Sequence, residues 1–164
     1  MVENGWALYA HPFFLTRLVD IVKAVRKLIE SDPTGFHHHQ DFKFFEAIVS
    51  NIRVNVPANP AHPSFRQGST LGRKYQHWFR VKRHSLPNRY RLFFQFMSQA
   101  PKTIIYAWIN DETCIRRDGD RRDVYEVFKA MLASGKMPNS YDDLLAACGA
   151  LAIPSLAASD DREG

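Results

Sequence analysis

At 164 residues the chain suits one domain with a buried core. Its composition, 45% hydrophobic, 13% aromatic and 24% charged, excludes a disordered or fibrous class. The formal charge of +5 points toward an anionic partner.

No apolar run approaches the ~20 residues needed to cross a bilayer. Residues 1–5 carry an acid where a secretory leader would be basic, so a cytoplasmic protein is expected. Cys114 and Cys148 are too few for a disulfide framework or a zinc knuckle, and both are read as reduced thiols.

Residues 5–10 read as a first strand, ended by His11-Pro12, and Pro12 suits the first turn of a helix. Phe14, Leu18, Ile21, Val22, Val25, Leu28 and Ile29 then keep helical spacing to about residue 30. Ser31-Asp32-Pro33-Thr34-Gly35 breaks that helix, and a second is expected over residues 41–52. His37-His38-His39 diverge on a helix and alternate on a strand, so a solvated loop or helix start is expected there and not a metal site. Residues 55–76, rich in Pro, Asn, Ser and Gly, form a loop too long to be a plain connector, with His62 as a turn residue. Residues 78–83 and 89–96 alternate with period two around a turn at Ser85-Leu86-Pro87-Asn88, and residues 102–109 give the next antiparallel strand. Asp123 and Ser140 are placed to cap two further helices. The order β-α-α-β-β-β-α-α predicts an α+β two-layer sandwich, a mostly antiparallel sheet with helices on one face and the other face partly open. Residues 1–150 form its single domain and 151–164 a flexible C-terminal tail.

Charge is unevenly spread. Residues 47–110 contain no Asp or Glu but hold ten cations: Arg53, Arg66, Arg73, Lys74, Arg80, Lys82, Arg83, Arg89, Arg91 and Lys102. Alternation sets Trp78, Arg80, Lys82 and His84 on one side of the first hairpin strand, with Arg89 and Arg91 beside them on the next. Four cations and an indole on one open surface suit RNA: the cations bind phosphate oxygens and the ring stacks on a base. Trp108 offers a second ring, depending on register. Arg66, Arg73 and Lys74 on the long loop are read as phosphate or partner contacts. RNA carries its own nucleophile, the ribose 2′-hydroxyl, so cleavage needs alignment, charge stabilisation and proton transfer but no metal or cofactor. Lys82 is the first choice of general base, because crowding by Arg80, Arg83, Arg89 and Arg91 favours release of its proton. His84, Glu112 and Asp118 are the alternatives.

The ordered set Asn4-Gly5-Trp6-Ala7-Leu8-Tyr9-Ala10-His11-Pro12, Phe65-Arg66-Gln67-Gly68, Trp78-Phe79-Arg80-Val81-Lys82, Arg89-Tyr90-Arg91-Leu92-Phe93-Phe94 and Trp108-Ile109-Asn110-Asp111-Glu112 resembles the YhaV family of type II toxins, a branch of the RelE-like ribonucleases. The resemblance spans roughly residues 4–138. It implies a RelE-like fold, cleavage of messenger RNA on ribosomes, and neutralisation by a PrlF-type antitoxin with a swapped-hairpin DNA-binding domain, which alone would contact operator DNA. It also implies chemistry by Arg80, Lys82, Arg91 and Arg116, with Tyr125 as a base-stacking ring. RelE itself has Lys where Arg80 stands, and the nearest family pattern has Tyr where Asp118 stands. Trp78, Arg89 and Trp108 join Arg66 and Lys74 as expected RNA contacts. The rival readings are a non-catalytic RNA- or ribosome-binding inhibitor of translation and a toxin-derived co-repressor acting with its antitoxin.

Overall fold

A computed structural model describes residues 1–157. Asn4 and Gly5 both adopt left-handed backbone (φ 49° and 80°), the geometry of a tight hairpin, and join strand β1 (Val2–Glu3) to β2 (Trp6–Ala10). Helix α1 (Pro12–Ser31) starts where the His11-Pro12 pair places it. The His11 Nδ1 accepts the Phe13 N–H at 3.0 Å, and Phe14, Leu18, Ile21, Val22 and Val25 form the buried stripe. Helix α2 (Gln40–Ser50) runs on through a π-turn (Asn51–Asn55) into one more helical turn, α3 (Val56–Ala58). The expected end at residue 52 is therefore passed.

Three strands follow the long loop: β3 (Phe79–Val81), β4 (Leu92–Met97) and β5 (Thr103–Ile109). Helices α4 (Val124–Ser134) and α5 (Tyr141–Ala147) are capped by Asp123 and Ser140 as the sequence predicts, and a two-residue strand β6 (Gly149–Ala150) completes the sheet. The strand order is β1-β2-β5-β4-β3, with β6 beside β1 on the outer edge of β2. Every pairing is antiparallel except β2 with β5. The result is a mixed α+β fold around a six-stranded, mostly antiparallel sheet.

Two expectations fail here. Helices cover both faces of the sheet, not one. Leu8, Val81, Leu92, Phe94, Ile104 and Tyr106 pack with α1 and α2, while Phe93, Ile105 and Ala107, which point the other way, pack with Val124, Phe128 and Leu132 of α4 and Leu144 of α5. The strands are apolar on both sides, which the alternation of charges around residues 80–91 obscured. The C-terminal segment is also docked as far as it is described. The Leu151 N–H donates to the Leu8 carbonyl, Ile153 and Leu156 pack on the core, and Arg26 Nε donates to the Ser155 carbonyl at 2.9 Å. The rest of the expected tail, residues 158–164, lies outside the described residues.

A bulge between Phe93 and Phe94 lets Ala107 and Trp108 fall on the same side of β5, the side facing α4. Phe93 and Phe128 stack there with centroids 4.0 Å apart, and Trp108 lies nearly parallel to Phe128 at 5.7 Å. Phe128→Ala is expected to cost about 3–5 kcal/mol in urea denaturation. A loss below about 1 kcal/mol would mean α4 is not seated on the sheet.

Burial lowers the pKa of His11. Its neutral form is therefore the folded form, and the stability it contributes is complete above the unfolded value of about 6.5 and lost as the pH falls toward the folded value. Thermal melts at pH 7.5 and 5.5 should show a smaller acid-side drop in His11→Asn, which keeps an N-cap, than in the wild type. Equal drops would remove His11 from the pH response.

Candidate nucleic-acid interface

Strand β3 is short, and its register pairs Phe79 with Phe94, Arg80 with Phe93 and Val81 with Leu92. Arg80 therefore emerges on the α4 side of the sheet, next to Phe93. Its guanidinium is fixed from two directions: Nε donates to the Tyr125 hydroxyl at 2.9 Å, and Nη1 to the Ser64 carbonyl at 2.8 Å. Ser64 belongs to a 3₁₀ turn (Pro63–Phe65) inside the long loop, and Arg66, just after it, bridges to Phe79 along the edge of β3. The long loop is thus pinned along the outermost strand.

Arg91 approaches the same tyrosine from the other strand. Its Nε donates to the Tyr125 hydroxyl at 3.0 Å, while Nη1 donates to the carbonyls of Asn88 at 2.6 Å and Tyr90 at 2.8 Å. At 3% exposure Arg91 is sealed beneath this tyrosine and its own loop. It was expected on the open face of a strand. Instead it lies just before β4, in a connection longer than the predicted turn, and acts as a brace.

Arg116 completes a ring of three guanidinium groups. Its carbon lies 5.3 Å from the Tyr125 ring centre, and that of Arg91 lies 5.7 Å away. Arg116 Nη1 donates to Asp123 Oδ1 at 2.6 Å, and Nη2 lies 3.6 Å from the exposed Asp118. The hydrogen bond to the Asp123 carboxylate raises the Arg116 pKa still further. Asp123, 3% exposed, also accepts the backbone N–H of Arg117 and of Tyr125, so one carboxylate caps α4 and anchors Arg116. The Asn110 amide ties the remaining strands together. Its Oδ1 accepts the Arg91 N–H, and its Nδ2 donates to the Arg89 and Cys114 carbonyls.

What remains open to solvent is a shallow depression of about 260 Å³ lined by Pro63, Ser64, Arg66, Arg80, Lys82 and Arg83. Four of those six are cations and none is acidic. Lys82 is exposed at its rim. Ser64, on the wall, has His62 Nδ1 2.8 Å and His84 Nε2 3.4 Å from its hydroxyl. His84 and Ser85 both hold left-handed backbone (φ 61° and 67°), and the buried Asn51 donates to the His84 carbonyl at 3.0 Å.

The other expected residues are not gathered here. Trp78 is 1% exposed, packed edge-on against Phe128, with its Nε1 donating to Asn139 Oδ1 at 3.0 Å, so it offers no face to a base. The same correction applies to Tyr125, 3% exposed, whose ring is flanked by Arg91 and Arg116 and meets Phe93 edge-on. Trp108 is half-buried in the same core. Glu112 lines a different cavity with Arg17, Asp20, Asp41, Phe44 and Tyr90, and Asp118 lies beside Arg116. Arg89 and Lys74 are exposed, with Lys74 over the Tyr75 ring. His62, read from the sequence as a mere turn residue, and Ser64, not singled out at all, are members of the site that were missed. Only their place in the acid-free stretch could have flagged them. Among the described residues no group of three or more His, Cys, Asp and Glu side chains is placed to hold a metal ion, nor is any helix long and apolar enough to cross a membrane.

A cationic depression of this kind belongs to proteins that handle polyanions, and comparison with known proteins narrows the class. Residues 8–149 match a family described as a toxin with endonuclease activity, of a toxin–antitoxin system. Over 142 residues the chain is 39% identical to the ribonuclease toxin YhaV of Escherichia coli strain K12 and to toxin YhaV of strain O157:H7, covering 86% of this chain and 90% of each relative. No solved structure matches it. The chain belongs to the YhaV toxin family: it is a toxin of a toxin–antitoxin system with endonuclease activity, and an antitoxin is its implied partner.

Asp123→Asn keeps a capping side chain but loses the charge that holds Arg116. A loss of about 2 kcal/mol is expected in denaturant melts. A change within about 0.5 kcal/mol would show that this carboxylate does not hold the corner together.

Proposed function

We propose that the protein is a metal-independent endoribonuclease that cleaves messenger RNA in the cytoplasm, with the scissile phosphodiester in the depression between the 63–66 turn and β3. The observation that carries this reading is Arg80. Its Nε and Nη1 are fixed by the Tyr125 hydroxyl and the Ser64 carbonyl, and its Nη2 has no partner among the described residues. A guanidinium held from behind needs no reorganisation to meet the charge that builds on a phosphorane. Arg66, Lys82 and Arg83 share the depression and supply the sequence-independent grip on neighbouring phosphates.

The ribose 2′-hydroxyl is the nucleophile, and the products are a 2′,3′-cyclic phosphate and a 5′-hydroxyl end. Arg80 stabilises the transition state, and Lys82, the residue first expected as the general base, assists proton transfer at the leaving oxygen instead. Arg91 and Arg116, expected as further charge stabilisers, act through Tyr125, which they hold while it holds Arg80. The exposed Arg89 and Lys74 extend the phosphate-binding surface. The antiparallel core of β3, β4 and β5 suits a RelE-like fold, and the ribosome suits the reaction as the place where messenger RNA is held extended. On the same reading the antitoxin is of the PrlF type, and operator DNA is contacted only through it.

The test is to incubate the protein with RNA in EDTA, with and without ribosomes, and to map the ends. Cleavage with 5′-hydroxyl termini is expected, reduced at least ~100-fold in Arg80→Ala at unchanged circular dichroism. RNA bound tightly but left intact in both settings would replace the nuclease with a module that blocks translation by occupancy.

A further inference from the structure

We propose, on the ribonuclease reading, that His84 is the general base that takes the proton from the ribose 2′-hydroxyl, and that Ser64 and His62 position it. Three polar side chains, two from the long loop and one from the β3–β4 connection, meet at Ser64, which forms part of the wall of the cationic depression. His62 Nδ1 accepts the Ser64 backbone N–H at 3.1 Å, so that nitrogen carries a lone pair and no proton. The Ser64 hydroxyl, 2.8 Å from the same atom, therefore donates to it. The Ser64 oxygen is left to accept, and His84 Nε2 at 3.4 Å is the donor in reach. That order of donors corresponds to one tautomer of His84. Nε2 holds the proton, and Nδ1 is the basic nitrogen, without a partner among the described residues. A base whose far side is oriented by a hydroxyl and then by a third group is the arrangement that proton abstraction requires.

The backbone supports the same assignment. His84 sits at φ 61° and Ser85 at φ 67°, two consecutive left-handed residues that lack glycine's freedom. Such a conformation persists only where the surroundings over-determine it. Here Asn51, fully buried, grips the His84 carbonyl while its own amide also donates to the Ala47 carbonyl at 2.7 Å. Phe65, 5.3 Å away, flanks the imidazole. The titratable neighbour of this ring is His62, across Ser64, and the charged groups of the adjoining depression that Ser64 lines are Arg66, Arg80 of β3, and Lys82 and Arg83 in the same connection as His84.

The step balances. His84 Nδ1 takes the 2′-hydroxyl proton as the 2′-oxygen bonds to phosphorus. The P–O5′ bond breaks with its electron pair on the 5′-oxygen, which takes a proton from the Lys82 ammonium group. The resulting imidazolium and amine are reset through water.

The test uses full-length toxin with an unstructured RNA oligonucleotide and with ribosome-bound message. His84→Gly suits the left-handed backbone and should lower kcat/KM by about 10²–10⁴-fold, with at least about tenfold recovered by added imidazole. His62→Asn, which can still cap the 3₁₀ turn, and Ser64→Ala, which keeps the carbonyl that holds Arg80, should each lower kcat at little change in KM. Both should also displace the acidic limb of the wild-type pH–rate profile. A His84→Gly enzyme within about threefold of wild type, or one that imidazole leaves unrescued, overturns the assignment. If Arg80→Ala is inactive in that same assay, the ribonuclease reading stands without it. A wild-type protein that cleaves neither substrate removes both.

Discussion

Two guanidinium groups from neighbouring strands converge on one phenolic oxygen, and the position of the site depends on that junction. Tyr125 is the second residue of α4, and its hydroxyl accepts from Arg80 on β3 and from Arg91 just before β4. Like charges brought this close repel unless something between them accepts hydrogen bonds. The phenol does this from one side, and the Ser64, Asn88 and Tyr90 carbonyls do it from the others. Asp123 then fixes where Tyr125 begins by capping the helix, and it balances the third cation, Arg116. Helix, two strands and loop are thereby cross-linked by polar contacts at one end of a sheet whose two faces otherwise pack mainly through apolar side chains.

Most elements were legible in the sequence because their signals were local. The helical stripe from Phe14 to Val25, the Asp123 and Ser140 caps and the alternating runs around Val81 and Phe94 each declare themselves within a dozen residues. What escaped depends on long-range pairing. The parallel match of β2 to β5 joins Ala7 to Thr103, and β6 is two residues long and exists only against β2. Asn4-Gly5 did carry a hairpin signal, but with so short a strand before it the pair read only as an approach to β2.

The site shows the same division. Arg80 and Lys82 were readable as alternate positions of one strand, and both line the depression. Tyr125 took its role from the family resemblance alone, and Arg91 and Trp78 were assigned outward roles because alternation tells which side of a sheet a residue takes and not whether a helix covers that side. Here α4 does, so the rings pack and Arg91 braces. Glu112 and Asp118 were near in sequence but fall on other surfaces. His62 could not be placed, since its partner Ser64 meets His84 only after the long loop folds back along β3.

Some of the carboxylates gather away from the cationic depression. Asp20, Asp41 and Glu112 border the cavity beside α1 and α2, whereas the depression between the 63–66 turn and β3 is walled by arginine and lysine. A molecule divided in this way carries a dipole as well as a net charge, and a polyanion approaching from any direction experiences a torque before contact. Encounter is thus both accelerated and oriented. Because the field reaches only about 8–10 Å at ordinary ionic strength, added salt slows the arrival of RNA far more than it disturbs groups already locked in place by short hydrogen bonds.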